Sequence, residues 1–289
     1  MEYSLEQEKL VARKPTLDWP FKGGIEFKNM SLYYDVNALP TLKQMSVVIE
    51  PGSKIGIVGR TGAGKSSLIA ALFRLAHIDG YILIDGIETG EINLESLRSK
   101  ISIIPQDPVL FSASIRYNLD PFDAYEDVEI WSALESVELK SSISGLQFMV
   151  TESGSNFSVG QRQLLCLARA ILRNNKILVL DEATANVDPK TDALIQRTIR
   201  QKFTNCTVLT IAHRLFTVMD SDKIMVMDNG FLKEYDIPYK LIQQPFGLFK
   251  DIITATGESE NLIKIAKTKY EEIFNREQQP RNLWKFKDI

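Results

Sequence analysis

Apolar residues recur along this chain at two different periods. "GIEFKNMSLYY" alternates apolar and polar positions, and "LKQMSVVIE" and "KIGIV" are short runs rich in β-branched residues; each predicts a strand. Directly after "KIGIV" the spacing becomes helical, in "SSLIAALFRL". "GYILIDG" and "ISIIPQ" are further short apolar runs, separated by the small helical stretch "LESLRS". Residues 107–150 then change character: "SIRYNLDPF" and "YEDVEIWSALESVEL" carry helical periodicity and no strand pattern. From Ser158 the two periods alternate again, through helix "SVGQRQLLCLARAILR", strand "KILVLD", helix "DPKTDALIQRTIRQKF" and strands "TVLTIAH" and "DKIMVMDNG". Strands alternating with helices predict an α/β core whose sheet is mainly parallel, with helices on both faces. The pattern divides the chain into a charged, proline-punctuated linker over residues 1–22, one domain over 23–245 and a helical extension over 246–289. Residues of about 107–172 read as a helical insertion between two halves of the core.

The 289 residues suffice for a substantial core, and 44% hydrophobic with 25% charged residues is ordinary for a globular protein. A net charge of −3 argues against nucleic-acid binding, which rests on a basic surface. Cys166 and Cys206 make no disulfide framework and suit a reducing compartment. No apolar run approaches the ~20 residues of a membrane-spanning helix, so the chain is not expected to cross a bilayer itself.

The chemistry concentrates where the first strand-to-helix switch occurs. "GIVGRTGAGKSSL" contains Gly59-x-x-x-x-Gly64-Lys65-Ser66, the P-loop template of a nucleoside triphosphatase. Glycines let the backbone approach a phosphate closely, and the helix N-terminus behind them presents N–H groups and a positive dipole end. In that template the lysine reaches the β- and γ-phosphates and the serine hydroxyl ligates Mg²⁺. "KILVLDEATA" ends a strand with Asp181 and Glu182. A carboxylate at the end of a neighbouring strand helps hold Mg²⁺, a role Asp181 fits, and the one beside it can polarise the attacking water.

The remaining candidates are weaker alone. His213 ends "TVLTIAH", where a γ-phosphate contact would lie if this strand neighbours the P-loop strand; His77, in "RLAHIDG", reads as a solvated turn residue. Gln106 follows a strand in "IPQDPVLF", and its amide can ligate Mg²⁺ or position water. Tyr33 and Tyr34 are adjacent on a strand, so one ring faces inward and the other is free to stack on a base. "ESGSNFSVGQRQ" leads into a helix with Ser158 at its N-cap, giving a second terminus suited to an anion.

In order, the P-loop, the Gln106 loop, "SVGQ", "ILVLDE", "ANVD" and "IAHR" resemble the nucleotide-binding domain of an ATP-binding cassette (ABC) transporter over residues 22–250. "SIIPQDPVLFSASIRYNLDPF" and "SVGQRQLLCLARAIL" are most similar to the second cassette of the subfamily C, multidrug resistance-associated exporters. The resemblance implies a P-loop core, an antiparallel β subdomain and a helical insertion carrying the signature motif. It implies ATP and Mg²⁺ as ligands: Gly59, Thr61, Gly62, Ala63, Gly64, Lys65, Ser66 and Ser67 around the phosphates, and Ser66, Gln106 and Asp181 at the metal. Glu182 is implied as catalytic base, His213 as γ-phosphate support, and Tyr34 as the ring stacking on adenine.

Two such cassettes pair head to tail, so Ser158, Gly160 and Gln161 are implied to cap the partner's nucleotide, and Asp188 to communicate across the dimer. The implied partners are the first nucleotide-binding domain and the membrane domains of the same transporter. The implied location is the cytoplasmic face of the plasma membrane, and the chain is expected to be a fragment of that longer protein. Alone it is expected to be a monomer or a weak ATP-dependent dimer. A nucleotide-sensing cassette of a channel or receptor is the alternative within the same family. Two positions depart from the family's Leu-Ser-Gly-Gly-Gln signature: Phe157 and Val159 stand in place of the leucine and first glycine. The stretch "SGLQFMVTESGS" ahead of it is also shorter than the family pattern.

Overall fold

The computed structural model describes residues 15–278 apart from Leu17 and His213. Two sheets form. The first is antiparallel and joins β1 (Ile25–Tyr33), β2 (Leu42–Ile49), β4 (His77–Ile84) and the short β5 (Ile87–Glu88) in the order β2-β1-β4-β5. The second joins β3 (Lys54–Val58), β6 (Ile101–Ile104), β7 (Ile177–Asp181), β8 (Thr207–Ile211), β9 (Lys223–Asp228) and β10 (Phe231–Asp236). Its order is β10-β9-β3-β8-β7-β6, parallel throughout except for the antiparallel edge strand β10.

The apolar runs of the central strands follow from burial on both faces. Ile177 and Val179 of β7 point into the core shared with the antiparallel sheet, whereas Leu178 and Leu180 point into the helical side. Met225 and Met227 of β9 likewise face the first core, and Ile224 and Val226 a third one. Helix α1 (Lys65–Leu72) packs against both sheets, and every residue from Ser67 to Leu72 is buried. α2 (Leu94–Ser99) precedes β6, with Asn93 capping it by accepting from the Ser96 N–H.

Between β6 and β7 lie α3 (Ile115–Leu119), α4 (Asp127–Ser136) and the long α5 (Val159–Arg173), packed around Ile130, Leu134, Leu165 and Leu167. α6 (Pro189–Lys202) connects β7 to β8. At the C-terminal end α7 (Pro238–Gln243), α8 (Leu248–Thr254) and α9 (Ser259–Gln278) follow. Leu241, Phe249, Ile253 and Leu262 from these helices cover Val58, Ile224 and Val226. Among the described residues no helix is long and apolar enough to cross a membrane.

Two local expectations are corrected. His77 is the first residue of β4, cross-strand from Tyr33 with ring centroids 5.9 Å apart, and is not a turn residue. The end of the expected linker is docked. Trp19 is fully buried and its indole N–H donates to the Ile84 carbonyl at 3.0 Å. The N–H groups of Lys22, Gly23 and Gly24 all donate to the Asp85 carboxylate at 2.7–3.0 Å. Apolar burial of one indole outweighs the polar, proline-rich character of its neighbours. The rest of that stretch lies largely outside the described residues.

Trp19→Ala is therefore expected to destabilise the chain by about 3–5 kcal/mol, as for other buried tryptophans. Urea unfolding monitored by far-UV circular dichroism measures it; a change near zero would mean that this segment is only a tether.

Candidate functional site

β3 ends at Val58, and the loop that follows bends back before α1 begins at Lys65. Gly64 occupies the N-cap with φ 101°, a backbone conformation that calls for glycine, and a Cβ there would also press on Leu42 Cδ2 at 2.7 Å. The same end of the loop is also held from outside: the Gly230 N–H donates to the Ala63 carbonyl at 3.1 Å, and the Gly230 carbonyl accepts from the Lys43 N–H. Asn229 and Gly230, both at positive φ, form the two-residue turn between β9 and β10. A Cβ on Gly230 would meet the Thr41 carbonyl at 2.1 Å. The P-loop is thus clasped between the antiparallel sheet and this hairpin.

Within the loop the Lys65 ammonium donates to the Gly59 carbonyl at 3.0 Å and the Arg60 carbonyl at 3.3 Å. Space beside Gly62 is open: nothing lies within 4 Å of a Cβ built there. Ser66 is in the first turn of α1. Ser67 is buried and accepts a 3.2 Å hydrogen bond from the Tyr34 hydroxyl, which ties the β1 end to the P-loop helix while the Tyr34 residue stays 63% exposed.

The acids sit at the other side of the same sheet end. β8, not β7, is the immediate neighbour of β3, so Asp181 and Glu182 stand at the end of the next strand beyond it. The parallel order explains this: β7 pairs with β6 and β8, leaving no edge for β3. Asp181 is half-buried, and burial pushes its carboxyl above the usual carboxylate range; adjacent Glu182 pushes the same way and Lys65 pulls it back. Lys65 and Asp181 are therefore electrostatically coupled across β8. Glu182 has φ 47°, a left-handed conformation uncommon for a glutamate, held by its N–H on the Ile211 carbonyl and its carbonyl on the Ala185 N–H. β8 does neighbour β3, the condition set for a γ-phosphate contact, but His213 itself lies outside the described residues.

The remaining candidates cluster around two helix N-termini. Ser158 caps α5 reciprocally: its hydroxyl accepts from the Gln161 N–H, and the Gln161 side chain accepts from the Ser158 N–H. Asp188 caps α6, and hydrogen bonds from Thr191 and then Lys190 hold its carboxyl below the usual range. Gly160 lies against α6, where a Cβ would stand 3.0 Å from Thr191 Cγ2. The hydrogen bonds of Ser158 and Gln161 stay within their own cap and involve no P-loop residue. The two signature departures are packing residues: Phe157 is buried edge-on to Phe148 at 5.9 Å, and Val159 packs on the helical core.

Gln106 is exposed, but its backbone is not free. Gln163 on α5 donates from Nε2 to the carbonyls of both Pro105 and Gln106 at 3.0 Å. Gln163 and the Asn229–Gly230 clasp are not among the residues that the sequence motifs single out. A glutamine on the buried side of an otherwise apolar helix face, and an Asn-Gly pair between two strands, were the available signals.

The ABC transporter family model matches residues 42–185. The chain is 55% identical over 285 residues to a probable multidrug resistance-associated protein, lethal(2)03659, of Drosophila melanogaster, covering 94% of this chain and 21% of that protein. It is 56% identical over 252 residues to ATP-binding cassette sub-family C member 4 of Homo sapiens, covering 86% of this chain and 19% of that protein. The chain thus spans about a fifth of the length of these relatives. A solved bacterial Atm1-family ABC exporter with ATP bound superposes with a TM-score of 0.76 at 33% identity, over 82% of this chain and 42% of that one.

Because burial raises the Asp181 pKa, the native state keeps that proton to higher pH than the unfolded chain does. Stability then falls as pH rises through the interval between the two values, and the penalty is complete above the native one. Asp181→Asn is expected to unfold at a higher temperature than the parent near neutral pH, with the gap closing as pH drops into the ordinary carboxylate range. Differential scanning calorimetry of the ligand-free chain across that range checks both the sign and the pH trend.

Proposed function

This chain belongs to the ABC transporter family, and we propose that it is an ATP-hydrolysing cassette that powers export of organic anions or drugs by a larger transporter. The observation that carries this reading is the glycine loop leading into Lys65, at the head of α1, in electrostatic reach of Asp181 at the end of β7, with Glu182 next to it. A triphosphate fits the loop: the open side of Gly62 leaves room for phosphate oxygens, and the α1 terminus supplies N–H donors and a positive dipole end. Gly59, Thr61, Ala63, Gly64 and Ser67 complete the loop and the first turn, and Tyr34, with its ring exposed, stacks on adenine.

Ser66, Asp181 and Gln106 are the proposed metal holders, an all-oxygen set that suits a hard cation. Mg²⁺, when bound, neutralises phosphate charge as the terminal phosphoryl group leaves. Lys65 swings from the Gly59 and Arg60 carbonyls onto the phosphates. Glu182 takes a proton from the attacking water, and its constrained backbone aims the carboxylate. His213 is assigned to the γ-phosphate. Ser158, Gly160 and Gln161 are assigned to the nucleotide held by a second cassette, with Asp188 at the contact between the two.

The partners proposed are that first nucleotide-binding domain and the membrane domains, at the cytoplasmic face of the plasma membrane. Phe157 and Val159 make this chain's signature unlike the one its own P-loop is proposed to meet. The nucleotide bound here then turns over, while the one capped by α5 is held and turned over slowly.

Glu182→Gln is expected to lower steady-state ATP hydrolysis by about 10²–10⁴-fold, the range lost with a general base, and to leave ATP affinity nearly intact in calorimetric titration. Lys65→Ala is expected to remove most ATP binding. Parent turnover per chain should rise with chain concentration, since the site is completed by another cassette. A parent that binds ATP and never hydrolyses it, even when mixed with a cassette carrying the Leu-Ser-Gly-Gly-Gln signature, would return the chain to the nucleotide-sensing alternative.

A further inference from the structure

Gln163 is 1% exposed, on the inner side of α5. An amide nitrogen carries two hydrogens, and here one is directed to the Pro105 carbonyl and the other to the Gln106 carbonyl, each at 3.0 Å. Two carbonyl partners require that the amide present its nitrogen to them. Gln163 Oε1 is buried and accepts no hydrogen bond, so nothing but these two carbonyls fixes the side chain's polar end. Further along α5, Arg169 donates to the Val109 carbonyl at 2.7 Å and to Asn118, whose amide in turn holds Phe111. The segment that follows β6 is therefore strapped to α5, and its strap nearest Gln106 is Gln163.

We propose that Gln163 is a positioning residue that sets the Gln106 backbone, and so delivers the Gln106 side chain to the metal, linking the helix that caps a partner's nucleotide to the metal of this chain's own. The proposal rests on the ATPase reading for Gln106, and goes beyond it by assigning a residue that contacts neither nucleotide nor metal. A glutamine that served packing alone would show in stability and leave the metal requirement where it was.

The test uses the full 289-residue chain. Gln163→Met keeps length and volume and removes both donors; Gln106→Ala removes the side chain through which Gln163 is proposed to act. Calorimetric titration with ATP, with and without Mg²⁺, is combined with hydrogen–deuterium exchange over residues 105–111 of the ligand-free chain. Gln163→Met is expected to raise the Mg²⁺ concentration needed for half-maximal tightening of ATP binding by about fivefold, the effect of losing one or two neutral hydrogen bonds. ATP affinity without Mg²⁺ should stay within about twofold, and the change should vanish when Gln106 is already alanine. Exchange over residues 105–111 should accelerate. A lower melting temperature with an unchanged Mg²⁺ requirement, or effects of the two substitutions that simply add, overturns the proposal. If the parent shows no Mg²⁺-dependent ATP binding, the ATPase reading fails instead, and unchanged exchange over residues 105–111 in Gln163→Met then overturns the positioning role separately.

Discussion

A helix that is apolar on every side must be covered on every side, and α1 is such a helix. Its residues from Ser67 to Leu72 are buried, with Leu68 and Leu72 in the core shared by the antiparallel and parallel sheets. That placement leaves one end of the helix available to solvent, the end carrying Lys65 and Ser66. The anion-binding properties of a helix N-terminus are general, but they become a site only when the surroundings stop the terminus from fraying. Here β3 feeds the loop, the β9–β10 turn holds Ala63, and Tyr34 reaches from β1 to Ser67. The two-sheet architecture can be understood as what is needed to bury one short helix completely and still expose its first turn.

Placement of the acids follows from the same sheet. β7 is buried on both faces along its apolar run, and Asp181 is its first residue that is not fully enclosed. Its raised pKa records the compromise: burial and a second carboxylate oppose the charge, and Lys65 favours it. A cation placed among these groups relieves the repulsion that the bare chain must tolerate. The charge gathered at this strand end is therefore held at the expense of stability.

Much of this was legible in the linear pattern. The strand–loop–helix of the P-loop, the apolar strand ending in Asp181 and Glu182, and the Ser158 cap each rest on local rules of period, glycine and capping. What stayed hidden depended on contacts between distant residues. Nothing near "TVLTIAH" says that β8 inserts between β3 and β7, because pairing partners are chosen by the whole sheet. Trp19 sits among charges and prolines that read as a linker, yet its indole finds a partner in Ile84. Gln163 reads as an ordinary polar interruption of an amphipathic helix until the loop it holds is seen in space. His77 follows a helix and reads locally as a turn residue, but cross-strand pairing with Tyr33 overrides that local preference.

The clasp at Asn229–Gly230 changes how the P-loop signature should be used as a diagnostic. A motif scan scores eight consecutive positions and assumes that they carry their own geometry. In this chain the loop's Ala63 carbonyl is answered by a glycine far downstream, and that glycine sits so close to Thr41 that no side chain fits. Natural variation at Gly230 would pass every scan for an intact triphosphate motif while leaving the loop unsupported. When variants of such cassettes are ranked for consequence, the turn between the last two strands belongs in the same class as the glycines of the loop itself.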